Sequence, residues 1–496
     1  MVNKININAK DNTVEEELHK LVSVSAQENK GLNAEHILQL AKLQGKPLKQ
    51  LIKDNHSLLI FPTSLIDIDD KSNTANKNQE DDLFTKDKIE DEVIYSLSGD
   101  CDNAKTIKIT TTNLMGFIGF SNVKLSITSR FAKDNYFLYY MLQKVFCVNL
   151  FDFNFDKQLD GTLDLLSFLF PYALKRALKK GLYKEYRRFQ RNDSKVKGPI
   201  SVARHLKENM AFKGTVAYDS RERTFDNNIN QLVRHTIEYI KKSAFRSILS
   251  SDKDTRFYVS QVVEATPSFN PQAKNKILHH CLKPFKSPFF TEYSLLIKLC
   301  KSILNHEKIE YSQKDDEIYG LLFDGAWLWE EYLATILTNL EKPFVHPENK
   351  LKNGGIQLYK EGQRSAYPDF YRGNQIVGPN NPTVAQGKTD LKSSIDDNWI
   401  VDAKYKSLDT YGVSRDDKYQ LIAYMPTFPS NKGTLVYPFS QDNQSGNQKE
   451  KSYSLCGFGG KLSTYGVNIV NKVNSYEEFC RSMEKAETEL IAKFST

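Results

Sequence analysis

The sequence predicts an α+β multidomain protein. It would have an N-terminal β-rich domain, a helical middle region and a C-terminal α/β domain around a mixed central sheet. Three observations predict this. Residues 93–131 hold short β-rich runs (VIYSL, TIKITTT, MGFIGF, VKLSIT) separated by polar or Gly/Asn breaks. Apolar residues recur at helical spacing through much of 163–310. Residues 320–496 switch to a helix–strand–strand–helix–strand order. The expected regions are 1–92 (helical, with an acidic linker), 93–162 (β-rich), 163–310 (helical) and 311–496 (α/β).

Taken in order, residues 32–55 read as two short helices. Asn33 suits the cap of the first, Ile37, Leu38, Leu40 and Ala41 give it an apolar side, Gly45 breaks it, and Pro47 suits the first turn of the second. Ala41, Gly45 and Leu51 are spaced as in a helix-turn-helix, which an ordinary helical hairpin matches equally. Residues 135–150 read as a buried helix. Residues 163–191 read as a helix whose second half, LKRALKKGLYKEYRRFQR, holds eight Lys/Arg against one Glu, with Tyr183, Tyr186 and Phe189 interleaved. Such a helix could track a phosphate backbone or simply present a solvated face. After a short strand, a short helix and a polar turn, a helix is expected from Asp226 or Asn227, with Ile229, Leu232, Val233, Ile237 and Ile240 on one side. Helices continue through 287–306.

Composition narrows the class. Of 496 residues, 40% are hydrophobic and 26% charged, as in soluble globular proteins. The longest clean apolar run, Leu165 to Leu174, is too short for a membrane span. The N-terminus lacks the apolar core of a signal peptide, and the six cysteines are scattered without a Cys-x-x-Cys, so a reducing cytoplasm is the expected compartment. Residues 67–92 carry ten acidic and four basic side chains, a net of −6 within an overall +7, which leaves +13 elsewhere. That excess favours a polyanionic partner such as nucleic acid.

The chemistry concentrates near the C-terminus. The helix GAWLWEEYLATILTNL carries Glu330 and Glu331. Tyr367-Pro368-Asp369 leads into a strand, and a turn at Arg372-Gly373-Asn374 is expected to lead into Gln375-Ile376-Val377. A polar insertion, roughly 378–398, precedes WIVDAKYK. In a strand, residues two apart face the same side, so Asp402 and Lys404 point together. A carboxylate that ends an apolar run needs a cation or a metal. With Asp369 as a second carboxylate and the Ala403 carbonyl, the donor set suits Mg²⁺. Lys404 would then orient or activate water, or stabilise charge on phosphate. This is the PD-(D/E)xK nuclease pattern. Gln420 and Tyr424 follow one turn apart on a helix, as in its RecB-type branch, and GTLVYP reads as the next buried strand.

From about residue 94 to about 440 the chain resembles the McrC family, the nuclease subunit of McrBC-type restriction systems. The resemblance rests on Gly116-Phe117-Ile118-Gly119-Phe120 with Leu125-Ser126-Ile127, and on Gly181-Leu182 through Tyr186. It continues with Gly198-Pro199-Ile200, Asn209, Asn227 and Asn230, then Tyr-Pro-Asp, Asp-Ala-Lys-Tyr-Lys and Tyr-Gln-Leu-x-Ala-Tyr in order. Ser129 stands where the family pattern has proline. The resemblance implies a Mg²⁺-dependent DNA endonuclease that cuts double-stranded DNA beside a McrB-like AAA+ GTPase and stimulates that GTPase through its N-terminal portion. A second copy is needed for double-strand cleavage, and no membrane is involved. A partner motor also fits the absence of a P-loop: Gly457-Phe458-Gly459-Gly460-Lys461-Leu462 lacks the first glycine and the final hydroxyl.

On this reading Asp369 and Asp402 are metal ligands with the Ala403 carbonyl, and Lys404 is the catalytic lysine. Glu330 (or Glu331) is an acidic helper, and Gln420 and Tyr424 contact DNA or position Lys404. Lys406 shares a face with Lys404 and could bind phosphate. His279-His280-Cys281 invites a zinc reading that no second ligand cluster supports. Two other functions fit the same residues. One is a motor-independent DNA-processing nuclease. The other is a non-enzymatic activator of an AAA+ motor, its acidic pair merely structural.

Overall fold

The computed structural model describes residues 5–23, 32, 34–55, 58–62, 92–99, 106–120, 122–132, 135–147, 162–211, 214–243, 245–281, 285, 287–311, 318–347, 355–357, 365–373, 398–406, 413–440, 449–457 and 459–495. The acidic run, Asn33, the continuation after Gly373 and most of the insertion before Trp399 lie outside them. The chain forms two compact units, one drawn from the described residues of 1–63, 75–159 and 315–496, the other from those of 160–314.

The N-terminal half of the first unit supplies β1 (Ile5–Lys10), β2 (Glu16–Glu17), β3 (Val22–Ser23), α1 (Ala34–Leu43), α2 (Leu48–Asp54), β4 (Leu58–Phe61), β5 (Tyr95–Ser98), β6 (Lys108–Thr111), β7 (Leu114–Phe120), β8 (Val123–Thr128) and α3 (Tyr136–Phe146). The two short helices are those expected, and Gly45 turns between them at φ +68°. The four runs in 93–131 form β5 to β8. Residues 1–92 are more than helix and linker, however. β1 lies parallel to β8 and β4 parallel to β11 (Tyr319–Asp324), in a six-stranded sheet of order β3-β1-β8-β7-β11-β4. These pairings join segments more than a hundred residues apart, so no local periodicity announces them. Ile37, Leu40, Leu48 and Leu51 from the helices bury against Ile7, Ile118, Leu125 and Leu322 of the sheet. Burial of each such side chain contributes about 1.5–3 kcal/mol.

The second unit begins with α4 (Thr162–Leu178), which stops short of Gly181. The basic stretch beyond it is a strand, not the expected continuation of the helix: β9 (Glu185–Asp193) pairs antiparallel with β10 (Val216–Thr224). Gly181 takes φ +90°, which ends helical propagation, and the burial of β9 alternates strictly with period two. Tyr186 and Phe189 therefore stand on opposite faces. The middle region is thus helical with an embedded β-ribbon. α5 (Val202–Glu208) lies between the strands, and α6 (Asn228–Lys242) starts where expected, its Asn227 cap accepting the Asn230 N–H. Next come α7 (Lys253–Ala265), α8 (Lys274–His280) and α9 (Tyr293–Tyr311). Cys281 is buried with its thiol donating to the Asn228 carbonyl, while His279 and His280 are exposed. No described helix is long and apolar enough to cross a membrane.

Back in the first unit, α10 (Gly325–Leu337) follows β11, and short β12 (Ile356–Gln357) and β13 (Ser365–Ala366) pair with each other. Then come β14 (Phe370–Arg372), β15 (Trp399–Ala403), α11 (Arg415–Thr427), β16 (Lys432–Ser440), β17 (Glu450–Ser454), β18 (Lys461–Ile469) and α12 (Tyr476–Ser495). The sheet order is β14-β15-β16-β18-β17. The centre, β15-β16-β18, is parallel and both edges are antiparallel, so the sheet is mixed, as expected. Ile400, Leu421, Met425, Phe428 and Leu435 form the core between α11 and the sheet. The glycine-rich GFGGKL segment connects β17 to β18, with Gly457, Gly459 and Gly460 all at positive φ.

Candidate active site

Asp369 immediately precedes β14, and Asp402 and Lys404 lie at the end of β15. β14 pairs antiparallel with β15 so that Phe370 faces Val401, which brings Asp369 beside the last residues of β15. The Ala403 N–H donates to Asp369 Oδ2 at 2.6 Å. N–H and C=O of one strand residue lie on the same edge, so the Ala403 carbonyl is turned to the Asp369 side too. The Lys404 N–H goes the other way, to the Val436 carbonyl at 2.8 Å.

The expected two-residue geometry holds. Lys404 Nζ lies 2.8 Å from Asp402 Oδ2 and donates to Gln420 Oε1 at 3.1 Å. Gln420 and Tyr424 share one face of α11, with Gln420 Nε2 donating to the Tyr424 hydroxyl at 3.2 Å. α11 is started by Ser414, whose hydroxyl accepts the Asp417 N–H at 3.1 Å. Glu330, on α10, is near enough to act on Asp369 by charge. Glu331 instead accepts a hydrogen bond from the Trp327 ring N–H at 3.1 Å.

The electrostatics of the site are unusual. Burial pushes the Asp369 carboxyl well above the usual range, and the neighbouring charges of Asp402 and Glu330 add to this. Burial also raises Asp402, with Lys404 offsetting part of the effect. Burial works against the Lys404 ammonium, but Asp402 and Asp369 outweigh it and keep the amine charged. Asp402 is 1% exposed, and hydrogen bonds from Lys404 and from the Asp369 carboxyl help to hold its charge. Two neighbouring buried carboxyls, both pushed up by burial, are a costly arrangement that a divalent cation would relieve. Two carboxylates and a main-chain oxygen are hard ligands, the kind Mg²⁺ takes while keeping several waters. Among the described residues, no three or more His, Cys, Asp or Glu side chains form a ready-made metal cage.

Two nearby residues were not anticipated. His346 Nδ1 bonds the Asp369 carbonyl at 2.8 Å, and its ring stacks on Phe370 and lies 3.8 Å from Glu330 and 3.9 Å from Glu331. Burial disfavours its charged ring, but Glu331, Glu330 and the Asp369 carbonyl together hold it up at about 9. It stands in an irregular segment brought in by the Val345–Tyr371 bridge, and no sequence pattern marks it. Asp417 receives Lys406 Nζ at 2.8 Å, so that lysine is paired. The Ser414-x-x-Asp417 spacing is a capping signal that could have found Asp417.

A family model described as McrBC 5-methylcytosine restriction system component matches residues 109–438. No curated protein matches the chain. Among solved structures, it is similar to a chain of the refined half-complex from the tetradecameric assembly of Thermococcus gammatolerans McrB AAA+ hexamers with bound McrC. That likeness has 16% identity and a TM-score of 0.46 over 97% of this chain and 99% of that one. A chain of the cryo-EM structure of the Thermococcus gammatolerans McrBC complex is similar at 15% identity and a TM-score of 0.31, over 67% of this chain and 87% of that one. The family match covers more than half of the chain and takes in Glu330, Asp369, Asp402, Lys404, Gln420 and Tyr424; the protein belongs to the McrBC 5-methylcytosine restriction system component family.

Proposed function

We propose that this chain is the DNA endonuclease subunit of a McrBC-type restriction system. It hydrolyses phosphodiester bonds of double-stranded DNA with Mg²⁺ when assembled with a McrB-like AAA+ GTPase, and it stimulates that GTPase. The observation that carries this reading is the buried Asp369–Asp402 pair with Lys404 held against it. A structural ion pair needs one carboxylate for one ammonium, whereas here two buried carboxyls face a single lysine.

Asp369, Asp402 and the Ala403 carbonyl would hold the Mg²⁺. When bound, the ion supplies the positive charge that polarises the scissile phosphate and the attacking water. Lys404 presents its ammonium to the same place, where it stabilises negative charge building on the phosphate. Gln420 accepts a hydrogen bond from that ammonium and so helps to fix it, and Tyr424 supports Gln420. Glu330 contributes negative charge near Asp369, strengthening the pull on a cation. The chain carries no P-loop, so GTP hydrolysis falls to the partner. The described residues hold one such site, so we take two copies to be needed to cut both strands.

The test is cleavage by the purified chain with its GTPase partner, GTP and Mg²⁺. Asp369→Ala, Asp402→Ala and Lys404→Ala are each expected to abolish cutting while leaving partner binding and GTPase stimulation in place. Full cleavage by these variants would overturn the site. Normal GTPase stimulation with no metal-dependent cleavage by the unsubstituted protein would make it an activator only. Cutting without nucleotide or partner would make it a motor-independent nuclease.

A further inference from the structure

Lys404 and Tyr405 lie just past β15, where the ladder runs out. The last tie to β16 is the Lys404 N–H on Val436, and the β14 register ends with Phe370 opposite Val401. Beyond the lysine, Lys406 reaches Asp417 on α11, and Tyr405 is held by the end of the N-terminal sheet. Arg130, two residues after β8, donates from Nη2 to the Tyr405 carbonyl at 2.6 Å. Its guanidinium lies 4.9 Å from the centre of the Tyr405 ring, and Phe131 meets that ring edge-on at 5.1 Å. The Tyr405 hydroxyl shares a hydrogen bond with Ser129 Oγ at 2.9 Å and reaches Met115 Sδ at 3.2 Å.

The clamp is itself anchored. Asp11 is fully buried and accepts the Arg130 N–H at 2.6 Å and Nη1 at 3.3 Å, and Asn113 accepts Nη1 as well. Gly325 leaves the room: a Cβ there would stand 2.7 Å from the Tyr405 ring.

A lysine ammonium sits at the end of four rotatable bonds, so its reach is set by where the backbone holds its Cα. On one side of Lys404 that backbone is β15. On the other it is Tyr405, fixed by Arg130. We infer that Arg130 is a positioning residue for Lys404, acting through the carbonyl and ring of Tyr405, so that the end of the N-terminal sheet sets where the ammonium stands. This rests on Lys404 being the catalytic lysine of the proposed function.

The experiment uses the full chain with its GTPase partner, GTP, Mg²⁺ and duplex DNA. Arg130→Lys keeps the charge that Asp11 faces but loses the planar fork that grips the carbonyl and stacks on the ring. The single-turnover cleavage rate is expected to fall roughly 10- to 100-fold, as for a displacement of about 1 Å. DNA affinity, calorimetric Mg²⁺ affinity and melting temperature stay near those of the unsubstituted protein. A folded Arg130→Lys variant that cuts at the unsubstituted rate overturns the inference. So does a joint fall of rate, both affinities and melting temperature, which marks general loosening. Should Arg130→Lys fail to fold, Tyr405→Leu removes the ring on which the Arg130 guanidinium stacks. It is expected to slow cleavage several-fold at unchanged affinities, and an unsubstituted rate overturns the inference. Lys404→Ala runs in parallel: if it cuts normally, the proposed function fails and the inference with it. If it is inactive while Arg130→Lys is normal, only the inference fails.

Discussion

Replacing Asp402 with Asn separates chemistry from stability. The amide keeps the shape of a side chain that is 1% exposed in β15. It removes a negative charge from beside Asp369, relieving a repulsion that burial sharpens. It also strips Lys404 of its counter-ion at 2.8 Å, leaving Gln420 at 3.1 Å and Asp417 at 4.0 Å. A charge pair at ~4 Å interacts by ~4 kcal/mol near a protein surface, so the two changes are each a few kcal/mol and opposite in sign. Folding stability is therefore expected to move by only about 1 kcal/mol. Catalysis has no such compensation. A neutral amide is a poor ligand for a hard cation, and losing charge stabilisation of about 3–4 kcal/mol lowers the rate by about 10²–10³. Single-turnover cleavage with partner, GTP and Mg²⁺ gives the rate, and urea melts give the stability. A rate within about threefold of the unsubstituted protein would refute the reasoning. So would a destabilisation of about 4 kcal/mol, which would make the carboxylate a structural group.

Other perturbations follow from the same geometry. Gln420→Ala removes the acceptor on Lys404 Nζ and is expected to lower the cleavage rate by about tenfold at unchanged DNA affinity; a loss confined to DNA affinity would make Gln420 a DNA contact instead. Ile400→Ala opens the core between β15 and α11 and should cost about 3 kcal/mol in a urea melt. In the second unit, burial alone would raise Asp252, but Thr255 and Lys175 hold its carboxyl down at about 2. Its folded value is depressed, so its stabilisation is complete above the usual carboxylate range near 4 and is lost as pH falls towards 2. Discounted for the exposed third of that side chain, it amounts to about 1 kcal/mol. The stability gap between Asp252→Ala and the unsubstituted protein should therefore be present at pH 6 and shrink by pH 2.5, read from denaturant melts; a gap independent of pH would contradict the assignment.

The parts of the site written in local patterns were legible. WIVDAKY shows a strand with its polar end, and period two puts Asp402 and Lys404 together. RDDKYQLIAYM shows a helix, and a four-residue step puts Gln420 against Tyr424. What escaped was set by pairing at a distance. Nothing around His346 says that Val345 will bridge Tyr371, and nothing in ININAK says that it will lie beside VKLSIT. The basic stretch after Gly181 forms a strand although its sequence suits a helix, because Lys, Arg, Tyr and Phe at mixed spacings satisfy a helical template as well as a strand. Only pairing with Val216–Thr224 decides between them. The Ser129 hydroxyl is no more legible, because its partner Tyr405 is 276 residues away in sequence.

The most direct measurement is a crystal of the full chain soaked in Mn²⁺ and recorded for anomalous scattering. One peak is expected between the Asp369 and Asp402 carboxylates, within bonding distance of the Ala403 carbonyl and beside Lys404, and it should be lost in Asp402→Asn. A peak elsewhere, or none at Mn²⁺ concentrations that support cleavage, would contradict it.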